Sequence, residues 1–115
     1  MQEGTQKCAA RVGNILDPNE FLMVLGGDCA ILIGILGAVA NKNIDAGLVF
    51  FDGHADFHNT HSSVTGEAAD FELAFLTGRC PVEITHLFSK YPLITDADVV
   101  AYGMQEPDHI ADSNI

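Results

Sequence analysis

Directly after the apolar run Leu48–Phe51 the chain reads DGHADFHNTH, which gathers two aspartates and three histidines within ten residues. Asp52, His54 and Asp56 fall at i, i+2 and i+4, a spacing that in an extended segment places all three side chains on one face. Two carboxylates crowded into a desolvated cleft repel each other until one takes up a proton, whereas a divalent cation between them keeps both ionised. The chemistry that this pattern points to is therefore metal binding. Oxygen ligands joined by one or two imidazoles suit Mn²⁺ or Fe²⁺ better than a structural zinc site, which draws on several thiolates. The competing reading is a polar loop whose Asp and His residues hydrogen-bond only backbone and water. Where the chain carries this loop separates the two.

The elements around it follow a regular order. Residues 21–25 (FLMVL) form an apolar run without alternation, which predicts a strand covered on both faces and ended by Gly26 and Gly27. Asp28 stands where an N-cap belongs, ahead of an apolar helix over residues 29–41. Turn chemistry in NIDAG leads to a second continuous strand, Leu48–Phe51. A polar loop then precedes a helix over 67–77 closed by Gly78, a further helical piece over 82–90 and a third strand, Val99–Tyr102, ending at Gly103. This βαβαβ order predicts a parallel α/β architecture with right-handed crossovers and helices on both faces. In such sheets ligands bind where loops leave the carboxyl ends of the strands. Asp52 sits at one such end, and Asp28 with Cys29 sits at another, which favours the metal reading. Asp96 and Asp98 precede their strand, at the opposite edge, and read as a solvated strand entry.

Composition bounds the partners. With 115 residues the chain has room for one core. Sixteen acidic against five basic side chains give a net charge of −11, and the basic residues are scattered, so a nucleic-acid backbone would be repelled. The most apolar segment, CAILIGILGAVA, falls short of the roughly 20 residues needed to cross a membrane. Three cysteines without paired-ligand spacing, and no apolar leader at the N-terminus, point to a reducing, cytoplasmic setting.

VLGGDCAILIG followed by LVFFDGHADFH resembles the paired motifs GGDHS and DAHxD of the arginase and agmatinase family, the manganese ureohydrolases. The resemblance implies a three-layer α/β/α fold with a parallel sheet and two Mn²⁺ ions at its carboxyl edge. It implies further that Asp52 bridges the ions, that Asp56 completes one and His54 the other, and that a hydroxide held between them attacks a guanidinium carbon to release urea. The substrate would be a small cationic guanidino or amidino compound, drawn in by carboxylates because its charge cannot be titrated away. A homo-oligomer is implied for the complete protein.

The departures from the family pattern are specific. Cys29 stands where the first motif supplies a histidine ligand. Two roles are open to it: a thiolate ligand, favoured at a helix N-terminus and biased away from Mn²⁺, or a small packed hydrophobe. In THSSVTGEAADFE, Thr65 and Glu67 match substrate-side positions, and His58 lies where arginases commonly carry Asn. Ala69 lies where arginases place a proton-shuttling histidine, which argues against arginine and leaves the catalytic residue unassigned, with His58 and His61 as replacements or plain surface. The later S-x-D-x-D-x-x-D-P motif is absent, so residues 1–115 are expected to be the central portion of one domain with both ends missing. The leading expectation is a metal-dependent hydrolase of a guanidino or amidino C–N bond. The alternative is an inactive remnant or interaction module of the same fold. A metallophosphoesterase, which D-x-H also allows, is opposed by the lack of a GDxxD or GNH after Asp52.

Overall fold

The computed structural model describes residues 2–54, 71–80 and 87–105. Helix α1 (Gln2–Ile15) is followed by α2 (Ile31–Asn41), strand β1 (Leu48–Phe51), α3 (Glu72–Leu76), a single 3₁₀ turn (Asp96–Asp98) and strand β2 (Val99–Tyr102). Helix α2, ILIGILGAVAN, is apolar around its whole circumference and accordingly lies inside, burying Ile33, Leu36, Ala38 and Ala40. Its two glycines are contact points. A Cβ on Gly34 would stand 2.7 Å from the Cys8 Cβ of α1, and one on Gly37 would collide with the Phe88 ring. The absence of side chains there lets α1 and the segment around Phe88 close on α2 from two sides.

Helix α1 has no counterpart in the elements predicted from sequence. Its apolar residues are sparse, and it buries only Ala9 and Val12, so its signal lies in packing against α2 rather than in its own periodicity. Helix α2 starts at Ile31, two residues later than expected. The Asp28 carboxylate accepts the Ala30 N–H at 2.9 Å, a turn that holds the chain short of the helix, and no side chain caps the Ala30 N-cap position.

Strands β1 and β2 pair in parallel, Leu48 opposite Val99 and Phe51 opposite Tyr102. Between them in sequence, α3 is buried along its whole length and is closed by Gly78 (φ +89°), with the Arg79 N–H donating to the Ala74 carbonyl at 2.7 Å. Leu93 and Ile94 both donate to the Leu76 carbonyl, and the Phe75 ring meets Tyr91 edge-on at 5.5 Å. These contacts lock α3 to the approach of β2. Of the helix expected over 67–77, residues 67–70 lie outside the described residues, as do 82–86 of the piece expected over 82–90; residues 87–90 are not α-helical.

One expectation is corrected. Residues 21–25 form no strand among the described residues, because a ladder requires a neighbour and none is paired with them. The side chains nevertheless alternate, Phe21, Met23 and Leu25 being 90%, 70% and 87% exposed while Leu22 and Val24 are half-buried. Among the described residues of the sheet, Phe50 is buried, while Val49, Phe51, Val100 and Tyr102 are exposed. No helix among the described residues is long and apolar enough to cross a membrane.

Asp96 and Asp98 lie exposed at the amino end of β2, as their position predicted. Arg79 grips Asp96 with both terminal nitrogens at 2.8 Å. The guanidinium hydrogen bond holds the Asp96 carboxyl below its usual range. A depressed carboxylate stabilises the fold above its unfolded value of about 3.9, and that contribution disappears as pH falls through the folded value. Because Asp96 is mostly exposed, the pair is screened and contributes under about 1 kcal/mol. Asp96→Asn should thus lower thermal stability slightly at neutral pH and approach the wild type as pH falls below the folded value, which melting curves across the acid range would record.

Candidate metal centre

The carboxyl end of β1 is held from two directions. The Asp52 N–H donates to the Tyr102 carbonyl at 3.1 Å, extending the ladder one residue beyond β1, and the Gln105 N–H donates to the Gly53 carbonyl at 2.9 Å. Gly103 makes this clamp possible: its φ of +99° suits glycine, and an added Cβ would stand 3.0 Å from the Asp52 carbonyl oxygen. Asp52 is therefore fixed at the rim by backbone alone, which leaves its side chain available for chemistry.

That side chain is the hub of the site. Its Oδ1 accepts the His54 N–H at 2.9 Å and lies 3.4 Å from His54 Nδ1. Its Oδ2 faces Cys29, whose Sγ lies 3.6 Å away and can donate its thiol proton. The Asp52 side chain is 25% exposed and that of His54 69%, so the cluster opens outward from a partly covered carboxylate. Among the described residues no lysine or arginine ion-pairs with Asp52. Cys29 arrives from the turn that follows residues 21–25, with its own carbonyl accepting the Leu32 N–H at 2.9 Å as α2 begins.

Sequence spacing foresaw the company of Asp52 and His54 but not its geometry. An extended segment would separate the two by a pleat, whereas the backbone bends at Gly53 and His54, and the His54 amide folds back onto the Asp52 carboxylate. The convergence of Cys29 on Asp52 matches the shared rim expected from the strand ends. Asp56, His58, Thr65 and Glu67 lie outside the described residues. The clamp by Tyr102, Gly103 and Gln105 went unrecognised in the sequence, although a glycine directly after a strand is a usable signal for such a turn.

The donor set fits a divalent cation in type and spacing. A sulfur at about 2.3 Å and an oxygen at about 2.1 Å on one tetrahedral ion stand about 3.6 Å apart, and an imidazole nitrogen with such an oxygen about 3.4 Å apart. Cys29 with Oδ2 and His54 with Oδ1 show these separations. The two pairs use opposite oxygens of one carboxylate and so do not form one cage. Consistently, among the described residues no three His, Cys, Asp or Glu side chains gather into a single set able to hold an ion.

Comparison with known proteins identifies relatives of this chain. Residues 1–110 match the profile of the arginase family. An arginase of Staphylococcus aureus strain MRSA252 is 33% identical over 104 residues, which cover 90% of this chain and 34% of that protein. The crystal structure of Bacillus cereus arginase superposes with a TM-score of 0.84 at 29% identity, covering 99% of this chain and 41% of the other. Entamoeba histolytica arginase in complex with L-ornithine superposes with a TM-score of 0.82 at 26% identity, over 99% of this chain and 41% of its own. The chain thus spans about a third of the length of the curated relatives it matches.

Proposed function

Since this chain belongs to the arginase family, with the partial α/β fold of that family, we propose that it carries part of the active centre of a manganese-dependent, urea-releasing hydrolase acting on a small cationic guanidino or amidino compound. The observation that carries the reading is the meeting of Cys29, Asp52 and His54 at the carboxyl end of β1. When bound, two ions would supply the activated water that attacks the guanidinium carbon. Asp52, with each oxygen turned to a different neighbour, would serve both ions. His54 and Cys29 would each hold one, and Asp56 would complete the set. The carboxylates of the rim attract a guanidinium whose charge persists at any working pH, and Thr65, Glu67 and His58 would orient it. The three thiols, none in a disulfide, suit a cytoplasmic setting, and homo-oligomers are proposed for the complete enzyme.

A second reading, an interaction module of the same fold, is favoured by one observation. Phe21, Met23, Leu25, Val49, Phe51, Val100 and Tyr102 are all exposed, large apolar side chains that another chain could cover. Urea separates the two. In the proposed enzyme, Mn²⁺ raises urea release from arginine, agmatine or a related guanidino compound, if only slowly, and chelation removes it. A chain that takes up Mn²⁺ and releases no urea from any of them supports the module. Phosphate release from phosphoesters in place of urea would reassign the chemistry altogether.

A further inference from the structure

We propose that the groove formed by α1 and residues 22–25 is a binding site for a medium-chain carboxylate, whose tail lies along Val12, Ile15, Met23 and Leu25 and whose head meets Arg11 and Lys7. The groove holds about 560 Å³, within the range of about 300–1,000 Å³ usual for small-molecule sites. Its lining from α1 follows from helical spacing. Lys7, Arg11 and Ile15 succeed one another at i, i+4 and i+8 with Val12 beside them, so one helix face carries two cations and an apolar stripe. Residues 22–25 belong to no ladder among the described residues, and Met23, 70% exposed, has the flexible thioether chain that adapts to a tail of many conformers. Charge identifies the head group. The chain has sixteen acidic and five basic side chains, yet among the described residues no acid lines this groove and two of the bases do. Arg11 has no ion-pair partner among the described residues, and Lys7 meets Glu3 at 2.6 Å in an exposed i, i+4 pair that gives way at small cost. A guanidinium takes a carboxylate through two parallel hydrogen bonds and keeps its charge at any working pH. An acidic protein or an anionic membrane would bring many charges against a net charge of −11, whereas a single carboxylate meets chiefly the local cations.

The test is calorimetric titration of the 115-residue chain with dodecanoate below its micelle concentration, beside dodecanol and dodecyltrimethylammonium, which carry the same tail. Dodecanoate should bind with one-to-one stoichiometry and at least about tenfold more tightly than either, the order of gain from a charge-assisted hydrogen bond. Arg11→Glu should remove that preference, and Met23→Asp should abolish the binding of dodecanoate. Phe51→Asp, at an exposed apolar side chain that does not line the groove, should leave it unchanged. All three substitutions fall on exposed side chains, so the fold persists, as circular dichroism checks. Equal affinity for the three amphiphiles, a preference that survives Arg11→Glu, or binding that is kept in Met23→Asp overturns the proposal. So does a wild-type chain that sediments as a dimer and becomes monomeric in Met23→Asp, since a second copy then fills the groove. A chain with native circular dichroism that takes up no dodecanoate overturns it as well.

Discussion

Replacing Asp52 with asparagine is expected to weaken divalent-ion uptake by at least about a hundredfold, because the substitution removes a shared ligand and its charge at one stroke, a larger insult than the outer-shell changes that already cost ten- to a hundredfold. The fold should survive. Asparagine keeps an oxygen to accept the His54 N–H, and the backbone bonds to Tyr102 and between Gly53 and Gln105 do not involve the side chain. Two measurements test the claim together. Calorimetry reports the affinity for Mn²⁺ and Zn²⁺, and thermal unfolding reports stability with and without ion. A wild-type chain held at a hundred times its dissociation constant gains about 2.7 kcal/mol from the ion, whereas Asp52→Asn at the same concentration should gain close to nothing. Equal affinity in the two proteins would end the case for a metal centre, since Asp52 is the residue that meets both Cys29 and His54.

The second large effect concerns stability. Phe75 is 1% exposed at the centre of α3, against Tyr91, and truncating it to alanine should cost about 3–5 kcal/mol through lost burial and the cavity left behind. A small domain is stable by only about 5–15 kcal/mol, so Phe75→Ala should remove a large share of that margin and lower the unfolding midpoint markedly. Phe51→Ala provides the contrast. The same deletion at a side chain that is 74% exposed should change stability by no more than about 0.5 kcal/mol and should improve solubility. Denaturant unfolding followed by circular dichroism measures both. Equal costs at the two positions would mean that α3 is not the centre of the core.

How much of this was legible beforehand depends on the range of the interaction concerned. Strands β1 and β2 were found at their observed bounds because short apolar runs between turn residues are local signals. The closing of α3 by Gly78 was legible for the same reason. Helix α1 was not, since its helical state is stabilised by contact with α2 and its own composition is weakly patterned. Residues 21–25 show the converse. Their β-type composition and alternating exposure describe an extended chain, yet ladder formation needs hydrogen-bonding partners that local composition cannot supply.

The amino-acid sequence alone determined that an aspartate follows β1, that Cys29 follows the Gly26-Gly27-Asp28 turn, and that both lie on the carboxyl rim of a parallel sheet. Those properties follow from residue order and from the polarity of strands, which any parallel crossover preserves. Only the tertiary structure decided that His54 folds back on Asp52 through a bend, that the Cys29 sulfur stops 3.6 Å from the opposite oxygen, and that Gly103 and Gln105 pin the whole turn from β2. Side-chain separations of a few ångströms are set by how the turns at Asp28 and Gly53 close and by how α2 seats between α1 and Phe88, and such packing depends on residues distant in the chain.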